Sequence, residues 1–187
     1  MRFPRPLLLL LLPLLLVGCR RPDPGAVQLA WRVPFRLCPP ESAPDFFTDQ
    51  EVLFSGPGGG QETLLTAVEN RAGALSLVAS TPLGQTLFVV RVQSGAVTVD
   101  ARAPLPGRLD PRMLPALVQF ALWPLEAVRA GLGPGITCAE DGARRTLLRR
   151  GKVVWRVTRT GAAPPFQSLL LENPGMGLTL RIRTLEE

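Results

Sequence analysis

Histidine and tyrosine are absent from this chain of 187 residues, and cysteine, methionine and tryptophan occur three times each. Without histidine the chain lacks the commonest general base and a common metal ligand. The cysteines, at positions 19, 38 and 138, have no zinc-site spacing, so no metal and no other cofactor is expected. Ser80 and Thr81 have no histidine to activate them and no lysine nearby in sequence, which argues against a nucleophile there. The run Gly56-Pro57-Gly58-Gly59-Gly60 lacks the Lys-Ser/Thr and the helix that complete a phosphate loop. Together these absences argue against an enzyme. A bilayer-spanning helix needs ~20 apolar residues. The one long apolar run, Leu7–Leu16, is about half that length.

That short run has a different use. Arg2 and Arg5 precede it as a positive segment, and small Gly18 follows it, which is the plan of a secretory signal. Leu16-Val17-Gly18-Cys19 fits the lipobox pattern, so cleavage before Cys19 and acylation of its thiol are expected. More than one acyl chain makes such an anchor stable rather than reversible. Arg20, rather than Asp, follows the cysteine, and the sorting rule for such proteins then implies the outer membrane, with the domain on the periplasmic face. The expected division is a signal over 1–18, a lipidated tether over 19–26 and one domain over 27–187. Removing residues 1–18, with Arg2 and Arg5, takes 187 residues to 169 and the net charge from +6 to +4. With Cys19 acylated, Cys38 and Cys138 remain as a candidate disulfide in an oxidising compartment. Such a bridge closes about 100 residues and contributes ~4–5 kcal/mol by chain entropy. Two free buried thiols are the alternative.

The domain reads mainly as strands. Val27, Leu29, Trp31, Val33, Phe35 and Leu37 alternate, the period of a strand. Phe46–Ser55, 61–70, Ala74–Ser80, 85–93 and Ala96–Ala101 follow with turn residues between them, an antiparallel meander. The pattern changes at Asp110-Pro111, an N-cap and a first helical residue. Met113, Leu114, Leu117, Val118, Ala121 and Leu122 recur at helical spacing until Pro124, and a second short helix ends at Gly131. Residues 144–150 and 152–160 form a hairpin about Gly151, and 167–172 and 178–184 form another. The fold class is therefore mainly β with some α: a half-open antiparallel barrel of nine to eleven strands, wrapped around a helical insertion at about 110–131.

Two stretches carry a resemblance: Leu75-Ser-Leu-Val-Ala-Ser80-Thr-Pro-Leu-Gly-Gln-Thr-Leu-Phe88 and Gln119-Phe-Ala-Leu-Trp-Pro124. Together they resemble an uncharacterised family of Gram-negative lipoproteins encoded near aryl-polyene biosynthesis genes. The first stretch is also similar to LolB and the LolA/LolB lipoprotein carriers. The resemblance covers roughly Phe46 to Thr184. It implies a half-open barrel capped by helices, with a cavity for acyl chains.

Three candidate sites follow. Trp31, Leu77, Phe88, Val90, Leu117, Trp123 and Trp155 are candidates to line a hydrophobic cavity, against the alternative of a packed core. Arg144, Arg145, Arg149, Arg150 and Lys152 form a candidate basic patch facing anionic headgroups, against a merely solvated strand face. Cys19 is the lipidation site. The expected partners are the membrane, through the anchor, and an acyl or polyene lipid, with no nucleic acid. The alternative function is structural: an assembly factor that binds an envelope protein.

Overall fold

The structure, a computed structural model, describes residues 26–103 and 110–185. The signal, Cys19 and the tether up to Gly25 lie outside the described residues. A short hairpin, β1 (Ala26–Ala30) and β2 (Val33–Arg36), precedes a sheet of ten strands. The sheet is built from two meanders. The first is β3 (Phe46–Ser55), β4 (Gln61–Arg71), β5 (Ala74–Ser80), β6 (Thr86–Gln93) and β7 (Ala96–Ala101). The second is β8 (Ile136–Asp141), β9 (Arg144–Arg149), β10 (Lys152–Thr160), β11 (Ser168–Asn173) and β12 (Leu178–Thr184). Between them run α1 (Leu114–Leu122) and α2 (Leu125–Ala130).

Every pairing is antiparallel, in the order β7-β6-β5-β4-β3-β12-β11-β10-β9-β8. Each pairing joins strands consecutive in sequence except β12 with β3, which unites the meanders and sets Leu180 opposite Phe54. Local turn chemistry builds the hairpins. Ser94-Gly95 and Arg150-Gly151, for example, both adopt positive φ, as two-residue turns matched to strand twist require. The edges β7 and β8 do not pair, so the sheet stays open, and the helical segment joins those edges across its concave side. The mainly antiparallel, unclosed sheet with a short helical insertion is the expected fold class. None of the described helices is long and apolar enough to cross a membrane.

The reading of Val27–Leu37 as one strand is corrected. The chain turns back at Trp31-Arg32, where Arg32 has a φ of 55°, and Val27 pairs with Phe35. A register shift between Gln28 and Ala30 brings the odd-numbered residues of both arms onto one face, so period-two alternation alone does not reveal the turn. Leu29, Val33 and Phe35 are buried, and the Trp155 indole N–H donates to the Leu29 carbonyl at 2.7 Å. The hairpin thus fills the concave side in front of β10. Residues 136–141, where no strand is expected, pair with β9 as an edge strand.

Gly131 ends α2 for a reason other than the one its position implies. Its φ is −83°, an ordinary helical value. A Cβ there would run into the Arg36 carbonyl and stand 2.8 Å from the Phe35 ring. The Arg36 amide donates to the Gly131 carbonyl at 2.8 Å. Glycine is needed for this close approach of α2 to β2.

Candidate ligand cavity

The inward face of the first meander and β12 is apolar by alternation: Val52 and Phe54 on β3, Leu64 and Val68 on β4, Leu77 on β5, Phe88 on β6 and Leu180 on β12 are all buried. The helix α1 lies opposite, presenting Leu114, Leu117, Val118, Ala121 and Leu122. Between these walls a cavity of about 90 Å³ remains. Its lining contains no charged residue. The volume exceeds what one water needs, ~10–15 Å³, but lies below the ~300–1,000 Å³ of most ligand pockets.

Of the seven residues expected at a cavity, Leu77, Phe88 and Leu117 line it. Val90, Trp123 and Trp155 are fully buried in the core elsewhere and do not. Trp123 stands edge-on to Phe46 at 6.1 Å, and Trp155 is tied to the hairpin. Trp31 is 80% exposed in the β1–β2 turn, so its assignment to the cavity is corrected. Two polar residues outside that expected set, Gln50 and Thr66, are also in the lining. Their strands alternate with even-numbered residues inward, and that parity points to both positions.

The elements around the cavity are tied down by polar side chains. Gln119, buried on α1, accepts from the Cys38 amide and donates to the Cys38 carbonyl, both at 2.8 Å. This clamp, together with buried Phe120 and Trp123, accounts structurally for the stretch Gln119–Pro124. The basic run places Arg145 in a surface patch, but its side chain is 2% exposed, and that assignment is corrected. On β9 it sits on the inward parity beside Leu147, beneath the end of α1. Its Nη1 donates to the carbonyls of Phe120, at 2.7 Å, and Trp123, at 2.8 Å. It therefore caps the carbonyl-rich, partly negative terminus of α1. Glu140 pairs with Arg145 at 2.6 Å and with Arg159 at 2.8 Å. Burial works to raise the Glu140 carboxyl, but the hydrogen bonds from Arg159 and Arg145 outweigh it and hold the group below the usual carboxylate value. Burial lowers the Arg145 guanidinium, against the opposing pull of Glu140.

The rest of the basic patch is dispersed along one hairpin. Arg150 and Lys152 are exposed and Arg149 is half-buried at the β9–β10 turn, while Arg144 is exposed at the other end of β9. The candidate disulfide is also corrected: Cys38 and Cys138 are free and buried. Each is held against α2 separately. The Cys38 thiol donates to the Ala127 carbonyl at 3.1 Å, and the Cys138 carbonyl accepts from Arg129 at 3.0 Å. Burial pushes the Cys38 thiol up to about 11 and the Cys138 thiol upward too. Neither thiol is therefore a ready thiolate. Among the described residues no group of three His, Cys, Asp or Glu side chains could hold a metal ion.

The profile of one family, described as protein of unknown function (DUF3261), matches residues 48–186. The chain belongs to DUF3261. The match spans both meanders and the helices, and leaves the β1–β2 hairpin outside it. No curated protein matches this DUF3261 chain. Among solved structures it is similar to a LolA superfamily protein from Nitrosomonas europaea, at 8% identity and a TM-score of 0.46, over 79% of this chain and 88% of that one. It is also similar to a domain described as an outer membrane lipoprotein-sorting protein, from Vibrio parahaemolyticus. There the identity is 9% and the TM-score 0.41, over 78% of this chain and 84% of that one.

Proposed function

We propose that this DUF3261 chain is a non-catalytic, lipid-anchored envelope protein that binds or hands over a hydrophobic acyl-type ligand at the periplasmic face of the outer membrane. The carrying observation is the uncharged cavity between α1 and the sheet. A closed core of this size normally packs without such a void. The cavity takes one end of a chain as it stands, and a longer chain requires α1 to swing outward. Arg145 and Gln119 hold the C-terminal half of α1, so the natural movement is of its N-terminal half, which carries Leu114, Leu117 and Val118. The lipobox at Leu16–Cys19 supports the anchor, and the likeness to lipoproteins encoded near aryl-polyene genes makes a polyene lipid one candidate cargo.

A second reading, an assembly factor that binds an envelope protein, is favoured by the small size of the cavity and by Leu83, 97% exposed on the β5–β6 turn. Native mass spectrometry with lipid extraction on the full chain separates the two. A stoichiometric co-purifying acyl or polyene lipid supports the carrier. An empty protein that also takes up no fluorescent fatty acid overturns it and directs attention to a protein partner.

A further inference from the structure

Gln50 and Thr66 are directly opposite each other on β3 and β4. Cβ atoms of such pairs lie ~4.5–5.5 Å apart. Both residues line the cavity in the middle of an otherwise apolar wall. Gln50 is 5% exposed. The Thr66 hydroxyl is fully buried and has no hydrogen-bond partner. A buried polar group left unpaired costs ~1–3 kcal/mol, and the Thr66 hydroxyl, beside Gln50 on the same void, is one that a ligand atom can satisfy.

Resting on the carrier reading, we propose that Gln50 and Thr66 form a subsite for the uncharged carbonyl of an acyl ester or amide, whose hydrocarbon chain lies between α1 and the sheet. A carbonyl oxygen has two lone pairs, and the site offers two donors, the Gln50 Nε2–H and the Thr66 Oγ1–H. No cation lines the cavity, so an ionised carboxylate there has no countercharge and is disfavoured. The neighbouring ladder positions Val52 and Leu64, with Leu117 across on α1, supply the apolar walls for the chain.

The test is native mass spectrometry of the full chain released from octyl tetraethylene glycol ether micelles. Four twelve-carbon probes are added singly at pH 8: methyl dodecanoate, N-methyldodecanamide, dodecanoate and dodecane. The ester or the amide, whichever matches the natural linkage, is expected to be retained about tenfold more than dodecane and dodecanoate, the worth of one good hydrogen bond. Gln50→Met and Thr66→Val, close in shape, are expected to abolish that preference, leave dodecane unchanged, and leave the melting temperature equal or higher. Thr66→Ser, which keeps the hydroxyl, retains the preference. Equal retention of carbonyl probes and dodecane by the unaltered chain overturns the subsite, as a mere bridging water predicts, and leaves the carrier reading standing. Retention of none of the four overturns the carrier reading itself. Loss of melting temperature in Gln50→Met and Thr66→Val with the preference intact identifies the pair as structural and also overturns the subsite.

Discussion

Replacing Arg145 with methionine separates a buried cap from a surface charge. The guanidinium, 2% exposed, serves two carbonyls at the end of α1 and pairs with Glu140. Methionine fills much of the volume but donates nothing. The carbonyls of Phe120 and Trp123 then lose their partner at ~1–3 kcal/mol each. Two effects pull the total down. Glu140 keeps its bond to Arg159, and its side chain is 27% exposed, so it is not stranded. Removing a buried cation also relieves its own desolvation cost. The expected loss is therefore about 2–4 kcal/mol. With a urea m-value of ~2 kcal/mol/M, the midpoint falls by ~1–2 M. Arg144→Met, one residue away and exposed, is the control, with a change within ~0.5 kcal/mol. Urea unfolding of both variants, followed by tryptophan fluorescence, reads the difference. Equal midpoints for the two variants would refute the buried cap and restore Arg145 to the surface.

Further outcomes follow from the same packing. Gly131→Ala forces a methyl against the Arg36 carbonyl and is expected to lower stability by about 1–3 kcal/mol in the same unfolding assay, although alanine is the better helix former. Glu140 is held below its usual value in the folded chain, so its contribution is complete above the unfolded carboxylate value near 4.5 and is lost as pH falls through the folded value. The stability difference between the unaltered chain and Glu140→Gln should accordingly shrink in acid, and a constant difference from pH 7 to pH 3 contradicts the pairing. Ala121→Leu pushes a larger side chain into the cavity. It should abolish acyl-probe retention with a stability change under about 1.5 kcal/mol, because added burial and overpacking oppose each other. Unaltered retention places the ligand elsewhere. Trp31→Ala should leave the melting temperature nearly unchanged, while Trp155→Ala should cost about 3–5 kcal/mol; differential scanning calorimetry checks both.

The strands, their inward faces, the turns and the helical interruption are legible in the sequence because each depends on neighbours two to four residues apart. Alternation marks Leu75, Leu77 and Ala79 as one buried face, and Asp110-Pro111 announces the helical segment. The same parity contains Gln50 and Thr66. What it lacks is any sign that an inward polar residue meets a void rather than a partner, since that depends on where α1 comes to rest. The pairing of β12 with β3 joins residues more than a hundred positions apart, and no local rule selects it. Arg145 shows the limit most plainly. Among arginines 144, 149 and 150 it reads as one more surface charge, and only the arrival of the α1 terminus and Glu140 gives a cation reason to be buried. Trp31 is the converse, an apolar residue on the right parity that a turn in the chain carries into solvent. Local periodicity thus determines what each segment is and which way it faces. The long-range meeting of β3 with β12, and of α1 with the open sheet, decides what is packed, what is paired and where space is left for a ligand. Those outcomes rest on contacts between residues far apart in sequence, whose partners no neighbouring residue encodes.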